Sequence, residues 1–112
     1  MNLKDLGQIA GLMGNLPKIR AEMEKFQQRL GQLTADGDAG GGMVRVRVNG
    51  RMEMVSCNLS DEATGDREML EDLIRAATNQ AIDNVRQVVA QETSKMASGL
   101  GLPPGMGLPG MP

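Results

Sequence analysis

The chain has 112 residues, with 12 Lys and Arg against 14 Asp and Glu, one Cys, one Phe and no His, Trp or Tyr. This length allows one small domain, whose hydrophobic core is expected to be thin. One Cys and no His cannot build an intrachain disulfide or a zinc cluster. Association between chains is therefore the expected way to complete the core. A single aromatic residue argues against base stacking on single strands, and without His the usual general base is missing, so we expect a protein that is not an enzyme and needs no metal or cofactor.

The first predicted element is a helix from about Leu16 to Leu33. Its apolar residues alternate spacings of three and four, which is typical of a helix that packs along its length against another helix. Pro17 is tolerated in a first helical turn, after Asn15 as a candidate cap. The stripe consists of Ile9, Leu12, Leu16, Ile19, Met23, Phe26, Leu30 and Leu33.

This helix predicts a partner. Eighteen helical residues span about 27 Å, whereas a strand of six residues spans about 20 Å, so apolar positions extend beyond any short sheet that the helix covers. An identical helix from a second chain is the favoured partner, and it would form a symmetric homodimer. The alternative is that the second helix of the same chain fills the gap. The predicted dimer interface is Leu16, Ile19, Met23, Phe26 and Leu30.

A hairpin follows the first helix. Residues 43–48, MVRVRV, alternate strictly, so the valines face one way and Arg45 and Arg47 the other. Asn49-Gly50 is a strong hairpin signal, and a two-residue turn would set Val48 opposite Arg51. Val55, Cys57 and Leu59 would then share the valine face, where Cys57 would be an inert, inward-facing small hydrophobe.

The second helix is predicted after the polar connector at residues 60–66, with Asp66 as its cap. Its buried stripe is expected to be Leu70, Ile74, Ala77, Ala81, Val85 and Val88, and its end near Ala97. The domain is therefore residues 1–97, and residues 98–112 form a Gly/Pro/Met/Leu-rich tail. Helix, hairpin and helix in this order predict an α+β two-layer fold.

The basic residues suggest a binding surface. Lys18, Lys25 and Arg29 fall near one line of the first helix, and Arg45 and Arg47 project from the outer sheet face. In a dimer each group occurs twice, and two such patches could straddle duplex DNA and bind its phosphates. The alternative is an ordinary solvated helix face.

No secretory signal and no membrane-spanning run is apparent, so a cytoplasmic location is expected.

The order of segments resembles the YbaB/EbfC family. GGGMVRVRVNG at 40–50, REMLEDLIRAATNQAIDNV at 67–85 and KMASGLGLPPGM at 95–106 carry the resemblance. It implies an α-β-β-β-α fold with an extra strand near Thr34 to Asp38, a small antiparallel sheet, a long N-terminal helix and a C-terminal helix in a tweezers-like homodimer. It also implies a nucleoid-associated protein that binds DNA, alters its conformation and takes part in nucleoid organisation and gene regulation. The rival hypothesis is a dimeric protein-protein interaction module, an adaptor without direct DNA binding.

Overall fold

The computed structural model describes residues 13–101, so Ile9, Leu12 and most of the predicted tail lie outside the described part. Six elements follow in order: α1 (Leu16–Leu30), β1 (Thr34–Ala39), β2 (Val44–Asn49), β3 (Met54–Leu59), α2 (Asp61–Thr64) and α3 (Arg67–Gly99). The strands form one antiparallel sheet in the order β1-β2-β3. The predicted α+β class is confirmed, and β1 is the extra strand that the resemblance implied.

The main core lies between the sheet and α3. The three valines of β2 are buried and pack against a stripe of small residues on the helix, Ala77, Ala81 and Val85. Gly37 in β1 sets how closely the two layers approach, because a Cβ at this position would lie 2.1 Å from the carbonyl oxygen of Ala77. The predicted stripe of α3 is confirmed at its centre, but it continues through Val89 rather than Val88. The buried residues Ala77, Ala81, Val85 and Val89 follow one another at intervals of four residues, and this spacing keeps their side chains on one face of the helix.

The helix ends differ slightly from the prediction. Asp66 caps α3 as expected, accepting a hydrogen bond from the Met69 backbone N–H at 3.1 Å, and the helix continues to Gly99 instead of ending at Ala97. Conversely, α1 ends at Leu30 rather than Leu33. The carbonyls of Leu30 and Leu33 both accept from the backbone N–H of Gly50, at 2.9 and 2.8 Å, so the last turn of α1 is anchored to the β2–β3 turn.

That turn is longer than the two-residue turn predicted from Asn49-Gly50, and this prediction was wrong. Val48 pairs with Met54 rather than with Arg51, across a bulge. The Asn49 side-chain oxygen accepts from the backbone N–H groups of Arg51 and Glu53, at 2.9 and 3.2 Å, which stabilises the wider loop. A Cβ at Gly50 would lie 2.6 Å from the Leu30 carbonyl oxygen, so Gly50 serves the contact with α1.

β3 has the predicted facing but not the predicted burial. Cys57 pairs with Val46 and Leu59 with Val44, which places both on the valine face. The expectation that Cys57 is buried was wrong, because Cys57 is exposed. The helix α3 packs on β1 and β2 and leaves the face of β3 uncovered.

Candidate nucleic-acid interface

The candidate site lies in a groove between α1 and the C-terminal half of α3. A small apolar cluster joins the two helices: Phe26 and Leu30 are buried against Val89, with Leu33 and Met96 packed around them. The start of α1 lies beside the end of α3, since Lys18 and Gly99 line the same groove. The helices therefore run antiparallel, and their facing edges bring side chains about seventy residues apart in sequence into one cleft.

Four cationic side chains converge on this groove, which encloses about 390 Å³. Two carboxylates lie among them, so the groove carries two net positive charges. Lys25 Nζ lies 3.5 Å from a carboxylate oxygen of Glu22, and the side chains of Lys25 and Glu22 are 69% and 40% exposed. The cations are Lys18, Lys25, Arg29 and Lys95, and the carboxylates are Glu22 and Glu92.

Glu92 is the central acid of the groove. Its side chain is only 14% exposed and accepts a hydrogen bond from the Arg29 guanidinium at 2.6 Å, which ties α3 to α1. Lys95 Nζ lies 3.6 Å from its other carboxylate oxygen. Arg29 and Lys95 remain 57% and 75% exposed, so both can still reach a phosphate from where Glu92 holds them.

The structure thus brings Lys18, Lys25 and Arg29 together, as their angular positions on α1 predicted. Lys95 was missed by sequence reasoning. It lies six residues beyond Val89, the last buried residue of α3, and no local spacing relates it to α1. Only the antiparallel packing of the two helices reveals it.

Arg45 and Arg47 are placed differently. Both project from the outer face of the sheet, as predicted. Each lies opposite an aspartate on the neighbouring strand β1: Arg45 is opposite Asp38, and Arg47 is opposite Asp36. Arg47 donates two hydrogen bonds to Asp36, at 2.8 and 3.2 Å. The hydrogen bond from Arg47 lowers the pKa of the Asp36 carboxyl and raises that of the guanidinium. Two arginines facing two aspartates leave this face without net charge, so it is a weaker candidate than the groove.

The residues of the predicted dimer interface fall into a part that is buried within the chain and a part that is still accessible. Phe26 and Leu30 are buried within their own chain, which is the alternative that the sequence left open. Ile19 and Met23 are half-buried, and Leu16 is 47% exposed. Only the first half of α1 therefore remains available to a partner helix.

Neither a cluster of metal ligands nor a membrane-spanning helix occurs in the described part of the chain. Within residues 13–101, no group of three or more His, Cys, Asp or Glu side chains is arranged to hold a metal ion. None of the described helices is long and apolar enough to cross a membrane.

These features define a small α+β binding protein with a basic groove between two antiparallel helices. Comparison with known proteins agrees, since the model of the YbaB/EbfC DNA-binding family matches residues 6–100. A nucleoid-associated protein of Rhizobium meliloti is 42% identical over 103 residues, covering 90% of this chain and 96% of the relative. Another, from Caldanaerobacter subterraneus, is 39% identical over 97 residues, covering 85% and 87%.

The fold has a solved counterpart. The crystal structure of an uncharacterized protein from Helicobacter pylori superposes with a TM-score of 0.59 at 24% identity, covering 89% of this chain and 97% of that one. The chain belongs to the YbaB/EbfC DNA-binding family. This family binds DNA and is not an enzyme family, so the prediction of a protein without catalytic activity is confirmed.

Proposed function

We propose that this protein is a nucleoid-associated protein that binds duplex DNA as a homodimer, with the α1–α3 groove of each protomer contacting phosphates. The observation that carries the proposal is the convergence of four cations from two distant helices on one open groove. The relatives are named nucleoid-associated proteins, which supports a location at the nucleoid for this protein. Organisation of the nucleoid and gene regulation through altered DNA conformation remain part of the proposal.

Phosphate contact is favoured over base reading by the residue types. The groove offers Lys and Arg side chains, which bind phosphate oxygens, and no Asn or Gln among the described residues lines it. Its one aromatic residue, Phe26, is only 3% exposed because it packs in the cluster that joins the two helices, so its ring is not open to a base. Binding should therefore depend strongly on salt and weakly on sequence. A homodimer would present two grooves at a fixed separation and so engage two stretches of one duplex, which raises affinity without new contacts.

The test is a gel-shift titration with a duplex of mixed sequence at two salt concentrations. If all four cations of a groove contact phosphates, affinity per protomer should fall by about a hundredfold between about 50 and 200 mM salt. An adaptor that binds protein through apolar surface would give no retardation at either concentration. Absence of retardation in low salt would overturn the proposal in favour of that alternative.

The groove itself is tested by Lys18→Gln together with Lys25→Gln. Neither lysine joins α1 to α3, so the double variant should fold normally and lose two phosphate contacts. The slope of log affinity against log salt should become shallower by about 1.8 per protomer. A matched control is Arg67→Gln with Arg75→Gln, which removes the same charge from exposed positions at the start of α3. Equal weakening by both pairs would show that net charge, and not the groove, governs binding.

A further inference from the structure

The shape of the groove depends on the direction of α1, and α1 is buried against the rest of the chain near its end. Its two buried residues, Phe26 and Leu30, lie in its second half, whereas Lys18 is exposed and lies in its first half. Lys18 precedes Leu30 by twelve residues, which corresponds to about 18 Å along a helix. A tilt of α1 by about 10° at its anchored end would therefore move Lys18 by about 3 Å, the length of one hydrogen bond.

The anchor of that end is the β2–β3 turn, residues 50–53. The Gly50 backbone N–H donates to the carbonyls of Leu30 and Leu33. The next residue adds a side-chain contact, since the Arg51 guanidinium donates to the Gln27 carbonyl with Nη2 3.2 Å from the oxygen. The turn therefore binds α1 through two successive residues, one by its backbone and one by its side chain.

The Gln27 carbonyl lacks the donor that a continuing helix would give it. In an α-helix that donor is the backbone N–H four residues later, which here belongs to Gly31. This N–H donates to the Arg29 carbonyl instead, at the point where α1 ends. Arg51 supplies the missing donor, and its positive charge suits the negative end of the helix dipole. The guanidinium also lies over Gly31, where an added Cβ would be 3.5 Å from Arg51 Cζ.

The turn has a fixed shape that presents Arg51 to α1. Met52 has a φ of +62°, a left-handed conformation that residues with a side chain rarely adopt. Such a backbone persists where neighbouring bonds enforce it. Asn49, only 8% exposed, provides them, because its Oδ1 accepts from the backbone N–H groups of Arg51 and Glu53 at 2.9 and 3.2 Å. Its Nδ2 donates to the Glu53 carboxylate at 3.0 Å, so both ends of the turn are tied to one buried side chain.

We propose that Arg51 is a positioning residue for the groove, because its bond to the Gln27 carbonyl fixes the direction of α1. It thereby sets the distance of the α1 lysines, Lys18 and Lys25, from Lys95 across the groove. This inference rests on the proposed function and adds to it a residue outside the binding surface. Arg51 does not line the groove, so it acts through α1 and not on a phosphate.

The distance between α1 and α3 tests the anchor without DNA. Spin labels are attached through Ala21→Cys and Ser94→Cys, which are exposed positions outside the groove lining, in the full chain carrying Cys57→Ser. The distance is measured by pulsed electron resonance in an excess of unlabelled protein, so that only pairs within one chain contribute. Arg51→Gln should broaden the distribution and shift its mean by about 3 Å, as a tilt of about 10° requires.

Two further variants separate the bond from the charge. Arg51→Lys can still donate a charge-assisted hydrogen bond to the Gln27 carbonyl, so it should restore the parent distance. Arg67→Gln removes the same charge from a side chain that is 93% exposed at the start of α3, and it should leave the distance unchanged. If Arg51→Gln also keeps the parent distance, Arg51 does not position α1 and the proposal is overturned.

DNA binding by the same variants shows whether this position matters to the groove. Without its anchor, α1 should lose one phosphate contact, so Arg51→Gln should make the slope of log affinity against log salt shallower by about 0.9 per protomer. Arg51→Lys should restore the slope. A shallower slope at an unchanged distance would mean that Arg51 itself contacts DNA, which overturns the positioning role. A changed distance with unchanged DNA binding would overturn the groove as the DNA contact, so the two proposals fail separately.

Discussion

Replacing Gly37 by Ala should destabilise the fold by forcing the two layers apart. The new Cβ would lie 2.1 Å from the Ala77 carbonyl oxygen and 2.5 Å from the Ala81 backbone nitrogen. Both neighbours are backbone atoms of α3, so no side-chain rotation relieves the contact. The helix would have to retreat by about 1 Å, and closely packed interiors resist such a shift.

The expected size follows from two opposing effects. Overpacking a core costs about 1–3 kcal/mol, and a gap of about 1 Å forfeits up to half of the dispersion attraction across the interface that Ala81 and Val85 make with the sheet. In the other direction, Ala in place of Gly within a strand recovers roughly 0.5–1 kcal/mol of backbone entropy. A net loss of about 1–2 kcal/mol corresponds to a fall in Tm of about 5–15 °C for a domain of this size.

The assay is thermal unfolding followed by circular dichroism, at one protein concentration because the Tm of any protein that self-associates depends on concentration. Gly99→Ala is the matched control. Gly99 is the last residue of α3 and an added Cβ there meets nothing within 4 Å, so this variant should melt at or slightly above the parent temperature. If Gly37→Ala and Gly99→Ala unfold at the same temperature, the close approach of β1 to α3 does not require a glycine at position 37, and the reasoning is refuted.

Three further predictions concern single residues. Glu92→Gln should tighten DNA binding and steepen its salt dependence, since Arg29 and Lys95 lose their carboxylate partner; a gel shift showing weaker binding would contradict this. Gly50→Ala should loosen the end of α1, because the Cβ would meet a carbonyl of that helix at 2.6 Å; faster amide exchange confined to α1 and the turn is the expected signature. Asp36→Asn should lower stability slightly at neutral pH. Because its pKa is lowered in the folded state from 3.8, the carboxylate contributes fully above about pH 4 and that contribution is lost as the pH falls through the folded-state pKa. Parent and variant should therefore converge in chemical unfolding experiments at low pH, and a constant difference between them would exclude the ion pair as its cause.

Patterns that depend on local periodicity were predicted well. The spacing of Ala77, Ala81 and Val85 places them on one helix face whatever they pack against, and alternation along β2 does the same for its valines. The cations of α1 could likewise be grouped by angle alone. Sequence periodicity therefore predicted the two long helices, strands β2 and β3, their order and most of one side of the groove, whereas β1 was implied by the family resemblance and the short α2 was not predicted.

What the sequence could not provide were features set by tertiary contact. Alternation correctly placed Cys57 on the valine face, but it carries no information on where α3 stops covering the sheet. Asn49-Gly50 was interpreted as a tight turn because that is its commonest local use. Here Gly50 instead receives the end of α1, and a close approach between distant segments has no signature in the neighbouring residues. Lys95 was missed for the same reason, since only packing of α3 on α1 makes it a neighbour of Lys18 and Lys25.

The distribution of charge explains how a chain with a net charge of −2 can still present a cationic surface to DNA. Much of the acidic excess lies at the connector and first turns of α3, in the run from Asp61 to Asp72. There it suits the positive end of the helix dipole. Glu71 and Lys95 are 24 residues apart on one helix, which corresponds to about 36 Å. At physiological ionic strength the Debye length is about 8 Å, so carboxylates at that distance barely reduce the potential of the groove. A phosphate approaching the groove responds to the four cations and two carboxylates beside it, and the total charge of the chain is a poor guide to its affinity.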